Sequence, residues 1–355
     1  MARARERGRA GPALDWLLEE SAPGVALAAR LQLLGEPPGS ARAARLRRRA
    51  NEDPAVARML AGVDQAIAAG DYSKYRGAYW TLLFLAELRA DGRDARAARL
   101  ARHVLGRQLE SGGFSARSGA GAGRWEIVCL TANMLRALVA LGLGEEPGVA
   151  RGYRRLAERI LPCGGVPCVV IDEHSLLTSC TMTIPQTLRA LAVAPAGADR
   201  KEVGELARLL VRRLLDVRIF RYVRPDARRF YAELLPRRLV GTTQRAFKQA
   251  YLARHPEPGE LAPKQGWLRF SFPHSYNPDL LEALLALSEL GVPHEPALDE
   301  ALDHVEAKRG ADGRWKSEGS LNGKMLADVE KKGAPSKWIT LHALTVLRHF
   351  GRLEV

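Results

Sequence analysis

The residues best suited to chemistry are four cysteines near the middle of this 355-residue chain, Cys129, Cys163, Cys168 and Cys180. Cys129 and Cys180 each precede an apolar segment, and the other two flank a Gly-Gly loop. Because thiolates favour soft metals, four converging thiols would hold Zn²⁺ or an iron–sulfur cluster. The Cys-x4-Cys spacing is loose for zinc. The competing interpretation is that these cysteines are small buried core residues, and a disulfide is the third.

A second candidate site lies just before the last cysteine, at Asp172, Glu173 and His174. A carboxylate beside an imidazole can orient it for acid–base catalysis, so these three residues are the catalytic candidates. The same loop could bring His174 to a metal held by the thiols. The alternative is an exposed polar loop with no chemistry.

Aromatic side chains and one histidine stand at the starts of several apolar segments. Aromatic faces attract cations and suit apolar chains such as isoprenoids, so these residues are candidates for lining a ligand cavity. Packing between helices would use the same residues. The candidate cavity residues are Tyr79, Trp80, Trp125, His274, Tyr276 and Trp338.

A repeated Leu-x-Ala-Leu pattern indicates what must position these groups. Its leading leucines, or those of fainter copies, stand at 85, 135, 188, 281 and 341, spaced 50, 53, 93 and 60 residues apart. Apolar segments (79–88, 129–141) alternate with amphipathic ones (95–109, 153–160). Segments that are apolar all round predict buried helices, and striped segments predict outer ones. Since one helix pair cannot bury its own apolar face, the pattern predicts an all-α fold of stacked helical hairpins.

The organisation follows from where this repeat is visible. Residues 1–70 are predicted to form an N-terminal helical lead-in, with a helix starting at Asp53-Pro54, and residues 71–355 form the repeat domain. Within it, 195–263 does not repeat cleanly and is either an irregular insert or a degenerate repeat. The β-prone runs at 166–171 and 218–223 are interpreted as loop edges rather than a sheet.

Composition limits the classes of partner. The net charge of +14 favours acidic partners or an anionic membrane surface, so peripheral membrane contact is one expectation. No Lys/Arg stripe is interleaved with aromatics, so nucleic acid is not an expected partner. The sequence shows neither an apolar signal-peptide core nor a membrane-spanning run, which predicts a cytoplasmic protein with reduced cysteines.

Two short motifs resemble those of a known family. QLESGGF at 108–114 resembles the Gln-x-x-x-Gly-x-aromatic signature of squalene–hopene cyclase repeats, and ADGRW at 311–315 keeps its Gly-x-Trp half. From about residue 14 onward the chain resembles bacterial proteins with prenyltransferase/squalene-oxidase repeats. The matching stretches are KYRGAYWTLLFLAEL, CLTANMLRALVALGLG, WLRFSFPHSYNPDLLEALLAL and PSKWITLHALTVLRHF. The resemblance implies an (α/α) toroid with inner and outer rings of helices, as in terpenoid cyclases and protein prenyltransferases.

The motifs that carry catalysis in those enzymes are missing. The chain has no Asp-x-Asp-Asp acid motif and no Asp-Asp-x-x-Asp diphosphate clamp, and Cys129 is preceded by Glu126-Ile127-Val128 rather than by the Asp-x pair of the zinc-binding Asp-x-Cys motif. The resemblance therefore implies binding of an apolar, isoprenoid-type small molecule in a central cavity more strongly than it implies turnover. The alternative is a non-catalytic repeat scaffold or a metal-binding module that engages a protein, a peptide or a membrane surface.

Overall fold

The computed structural model describes residues 8–9, 11–168, 180–224, 227–239, 241–255 and 260–354, and it is mostly helical, which confirms the all-α prediction. The α-helices of this part of the chain are α1 Gly11–Leu18, α2 Pro23–Gln32, α3 Ala41–Arg49, α4 Pro54–Ala61, α5 Val63–Ala68, α6 Ala78–Glu87, α7 Ala95–Leu105, α8 Val128–Ala140, α9 Pro147–Ile160, α10 Thr183–Ala192, α11 Arg200–Asp216, α12 Ala227–Leu234, α13 Gly241–Arg254, α14 Leu280–Glu289, α15 Asp299–Ala307 and α16 Lys337–His349. Short 3-10 helices span Ala50–Glu52, Ala122–Trp125, Leu161–Cys163, Leu235–Arg237, Gln265–Leu268 and Pro296–Leu298.

Within the described residues, four short strands form two small sheets. They are β1 Gly8–Arg9, β2 Arg221–Arg224, β3 Glu260–Pro263 and β4 Leu353–Glu354. β2 pairs antiparallel with β3, and β1 pairs parallel with β4. The interpretation of 218–223 as a loop edge is therefore wrong for 221–223, because a partner strand supplied by residues 260–263 satisfies its backbone. The other β-prone run, 166–171, is no strand at 166–168, and its remainder lies outside the described residues.

The five repeat leucines mark five buried helices, as the repeat predicted. Each lies in a different helix (α6, α8, α10, α14 or α16) and is at most 1% exposed. These helices pack in sequence order, α6 on α8, α8 on α10, α10 on α14 and α14 on α16, and α16 also packs on α2. A helix that is apolar on all sides is stable only when other parts of the protein cover it, and these successive helix–helix contacts cover the five helices.

Local signals end and begin the helices where expected. Gly142 and Gly291 follow α8 and α14 with φ of 91° and 69°, a left-handed conformation that glycine adopts without a Cβ clash. Asp53 precedes α4, and its carboxylate accepts hydrogen bonds from the backbone N–H groups of Ala55 and Val56. This N-cap confirms the predicted helix start at Asp53-Pro54.

The two Gly-x-aromatic loops are joined to the next buried helix in the same way. Phe114 and Trp315 are both fully buried. The Phe114 N–H donates to Thr131 Oγ1 in α8 (2.9 Å), and the Trp315 N–H donates to Thr340 Oγ1 in α16 (3.0 Å). The Gln108 side chain donates to the Gly112 carbonyl (2.7 Å), closing the turn. The repeat motif therefore folds as a turn held on the following helix.

This shared contact predicts a stability effect. Thr131→Val keeps the side-chain shape but leaves the buried Phe114 N–H without an acceptor, and we expect a loss of about 1–3 kcal/mol in the free energy of unfolding. Thr131→Ser is the control, because it removes the methyl group but keeps the hydroxyl that accepts this hydrogen bond. Urea unfolding of both variants measures the difference. Equal stability of the Val variant and the wild type would show that this bond does not hold the loop.

The N-terminal helices and the irregular segment pack in different ways. α1 and α2 contact α16, so the lead-in packs on the last helix of the chain. In the irregular region, α11 packs against α9 and α10. α12 and α13 bury a small apolar cluster of their own, formed by Phe230, Leu234 and Tyr251. In the part of the chain described, every helix is too short or too polar to span a lipid bilayer.

Candidate functional site

Charged side chains meet where the buried helices meet. They occupy the x position of Leu-x-Ala-Leu in four helices, as Arg136, Arg189, Glu282 and His342. Glu87, from the end of α6, joins them. We call these residues, together with His274, Asp279 and Glu289, the central ion network. All but Glu289 are less than 9% exposed.

Arg189 connects the network across three helices. Its Nη1 lies 3.1 Å from Glu87 Oε1 and 3.2 Å from Glu282 Oε1, and its Nε lies 3.2 Å from Glu289 Oε2. Arg136 also pairs with Glu87. A charge is tolerated in a protein interior only when it is paired in this way.

The network moves the pKa values of its members in opposite directions. Burial raises the pKa of Glu87, but the charges of Arg136 and Arg189 outweigh it and hold that pKa well below its usual range. Burial disfavours the charged form of His274, but Glu282 and Asp279 raise its pKa to about 9.

His274 lies 3.3 Å from Asp279 Oδ2 and 3.8 Å from Glu282 Oε1. Burial, followed by the charge of His274, lowers the pKa of His342 well below its usual value. The two imidazole rings stack here with their centroids 6.0 Å apart.

The adjoining turn of the buried helices is polar as well. Asn133 and Gln186 each donate a side-chain hydrogen bond to the Ser275 carbonyl, at 3.1 and 3.2 Å. Both amides are at most 2% exposed. The region where the five helices meet is thus occupied by charged and amide side chains rather than by the predicted aromatic lining.

Four aromatic side chains form a group near the starts of these helices, which we call the aromatic cluster: Tyr72, Tyr75, Trp80 and Tyr276. The ring centroid of Trp80 lies 5.5 Å from those of Tyr72 and Tyr75 and 5.9 Å from that of Tyr276. The Lys74 ammonium lies 4.3 Å from the Tyr276 ring centroid. The three tyrosines are half-buried, so the cluster has a face toward solvent.

The six predicted cavity residues lie in several different surroundings. Only Trp80 and Tyr276 share the aromatic cluster, and His274 belongs to the central ion network. Tyr79 packs edge-on against Phe114, and Trp338 stacks on Phe272 at 4.8 Å.

Trp125 departs furthest from the prediction. It is 43% exposed, at the end of a short 3-10 turn, with Arg117 3.7 Å above its ring. The expectation that it lines an interior cavity is therefore wrong, because a loop turn rather than a buried helix carries it.

A surface cleft of about 690 Å³ opens beside the aromatic cluster. Tyr72 belongs to both, and Tyr79 also lines the cleft. Arg107 and Asp71 line the cleft too, and the Arg107 Nε donates to the Asp71 carboxylate at 2.7 Å. The volume is in the range of about 300–1,000 Å³ that is typical of small-molecule sites. We call this space the Tyr72 cleft.

Three of the four cysteines come together around Thr183, the first residue of α10. The Thr183 hydroxyl donates to Cys180 Sγ at 3.2 Å and also hydrogen-bonds with Cys129. Cys168 hydrogen-bonds with Cys180. Cys163 is exposed, at the end of the Leu161–Cys163 turn. We call Cys129, Cys168 and Cys180, with Thr183, the thiol site.

The thiols differ in acidity. Hydrogen bonds from Cys168 and then Thr183 lower the pKa of Cys180 to about 6 against the opposing effect of burial. Burial, followed by the charge of Cys168, raises the pKa of Cys129 to about 11. Burial lowers the pKa of the nearby Lys264 to about 8, although the charge of Cys180 works in the other direction.

The thiol site does not support the predicted metal centre. Across the described residues, no group of three or more His, Cys, Asp and Glu side chains has an arrangement that could hold a metal ion. Cys163 is exposed in a turn of its own, so the predicted convergence of all four thiols is not seen. Asp172, Glu173 and His174 lie outside the described residues, and their acid–base role stays a prediction.

Comparison with known proteins adds no family. No protein-family model matches the chain. No curated protein matches its sequence either.

Proposed function

We propose that this chain is an (α/α) toroid of the terpenoid cyclase and prenyltransferase type that binds one apolar, isoprenoid-type ligand. Two observations support the ring. The buried helices contact one another in succession, from α6 to α16. The same repeat position of three of these helices supplies a charge to one network, and that of a fourth supplies His342, as expected if each helix turns the same face toward a common axis.

The observation that carries the ligand proposal is the Tyr72 cleft with the aromatic cluster at its side. Because charged side chains occupy the meeting point of the helices, we place the ligand at this cleft rather than in the centre. Half-buried tyrosines offer apolar ring faces without the cost of exposing a fully apolar surface. Arg107, its ion-pair partner Asp71 and Arg117 line the cleft, so one net positive charge among them would meet an anionic head group.

The proposed function is ligand binding and does not include catalysis. The buried acid–histidine pair Glu282–His274 and the thiol site carry reactive groups, but the Asp-rich motifs of the resembling enzymes are missing from the chain. Farnesol and farnesyl diphosphate are suitable probes, because they share one apolar chain and differ in head-group charge.

We expect both probes to bind saturably in isothermal titration. Tyr72→Ala removes an aromatic face from the cleft, and the lost contact, about 1.5 kcal/mol, raises Kd about tenfold. Trp16→Ala is the matched control, since Trp16 is also half-buried but lies on α1 between Arg314 and Lys337. Its Kd should equal that of the wild type.

Two results would contradict the proposal. One is the lack of saturable binding by either probe. The other is an equal loss of affinity in the Tyr72 and Trp16 variants. Either would favour the alternative of a repeat scaffold whose surface, on a chain of net charge +14, engages an acidic partner.

A further inference from the structure

The backbone brings two thiols into contact. The Cys180 N–H donates to the Val166 carbonyl at 2.9 Å, so the residues just before α10 run beside the segment that ends at Cys168. The Cys168 thiol then reaches Cys180 and hydrogen-bonds with it. Neither residue is in a disulfide. Cys180 is 6% exposed and Cys168 is half-buried, so the pair is open to small reagents from the Cys168 side.

Two side-chain donors point at the Cys180 sulfur, the Cys168 thiol and the Thr183 hydroxyl at 3.2 Å. The Thr183 backbone N–H donates to the Cys180 carbonyl oxygen at 3.3 Å and also lowers the pKa of the thiol. That N–H belongs to the first turn of the ten-residue helix α10, whose free amides favour negative charge. A cysteine in such surroundings is ionised near neutral pH, and the resulting thiolate is the nucleophilic form of cysteine.

A cation lies next to this thiolate. Lys264 hydrogen-bonds with Thr181, the residue that follows Cys180, and its ammonium lies 4.6 Å from the Trp267 ring centroid. Its charge interacts with that of Cys180. Cys129, the third thiol, is held in its protonated form by burial and is the weaker nucleophile.

We propose that Cys180 and Cys168 form a site that reduces small hydroperoxides, with Cys180 attacking and Cys168 completing a disulfide. The Cys180 thiolate attacks the terminal oxygen, an S–O bond forms, and the O–O bond breaks. The alkoxide leaves with a proton from the Lys264 ammonium. The Cys168 thiol then attacks the sulfenic acid sulfur and water leaves, so two thiols and one hydroperoxide give one disulfide, one alcohol and one water.

This activity is independent of the ligand proposed for the Tyr72 cleft and is tested without it. Reduced full-length protein is treated with one equivalent of tert-butyl hydroperoxide and digested, and its disulfides are mapped by mass spectrometry. We expect one main product, the Cys168–Cys180 disulfide. Cys163→Ser is the control, because it removes the exposed thiol and should leave the product unchanged.

Variants separate the two steps. In Cys168→Ser the sulfenic acid at Cys180 persists and is captured by dimedone, whereas Cys129→Ser still forms the disulfide. The rate of peroxide consumption should rise with pH to a midpoint near 6 and fall again above about pH 8, where Lys264 loses the proton that it donates to the alkoxide. At pH 5.5 Cys180 should react roughly tenfold faster than an unperturbed peptide thiol, since its greater ionisation outweighs its lower basicity.

Lys264→Gln should shift the midpoint upward, and Lys264→Arg should restore it. The proposal is overturned if the mapped disulfides join other cysteines, if Cys163 is oxidised first, or if the rate midpoint stands near 8.5, as for an ordinary thiol. The mapping on the wild type decides this even if a variant fails to fold.

Discussion

Arg189→Met is expected to destabilise the protein by about 3–5 kcal/mol or to prevent folding, which is among the largest effects for one substitution in this chain. The arginine is 3% exposed and pairs with Glu87, Glu282 and Glu289. Its removal leaves buried carboxylates without their main counter-charge. Thermal and urea unfolding measure the change.

The matched control is Arg212→Met, on a helix surface. The side chain of Arg212 is 77% exposed, and its ion pair with Asp216 is solvated. We expect that substitution to change the free energy of unfolding by less than about 0.5 kcal/mol. The double variant Arg189→Met, Glu289→Gln should recover part of the loss, because it removes a carboxylate that Arg189 neutralises. Comparable stability of the Arg189 and Arg212 variants would mean that the network does not hold the helices together.

The second large effect is a pH dependence caused by His274. Its pKa is about 9 in the folded protein, against an unperturbed value of 6.5. Because the folded value is raised, the stabilisation is full below pH 6.5 and is lost as the pH rises through 9. The shift corresponds to about 3 kcal/mol at roughly 1.36 kcal/mol per pKa unit.

This effect must be measured as a difference between variants. The lowered pKa of Cys180 makes stability increase with pH over part of the same range. The pH dependence of the wild-type stability therefore combines the effects of Cys180 and His274. The gap in unfolding free energy between wild type and His274→Gln should shrink by about 3 kcal/mol from pH 6 to pH 9.5. His294→Gln, whose side chain is 42% exposed, is the control. A gap that stays constant with pH would show that His274 is not charged in the folded protein.

The helices and their repeat were predictable because their signals are local. Leucine at one repeat position, glycine after the helix and Asp53 before α4 each act within a few residues. The strand at 221–224 was missed because its partner, at 260–263, is distant along the chain. The exposure of Trp125 was missed because the sequence does not show that a turn, not a helix, carries it.

The central ion network was also missed, although a signal for it is present. Arg136, Arg189 and Glu282 stand at one repeat position in segments that are otherwise apolar all round. A charge on a fully buried helix must find a partner, and equivalent positions of stacked repeats face the same way. Opposite charges at that position therefore predict one shared network. For the cysteines, the sequence showed that Cys180 precedes a buried helix, but not that the Cys168 thiol reaches Cys180 and lowers its pKa.

The most direct test of the proposed function is photo-crosslinking with a farnesyl analogue that carries a diazirine on its chain. We expect labelling that saturates and that added farnesol suppresses. The labelled peptides should contain residues 69–79, 106–122 or 276, which surround the Tyr72 cleft and the aromatic cluster. Labelling that does not saturate, or that maps to other surfaces such as the loops at 308–335, would contradict a ligand site at the Tyr72 cleft.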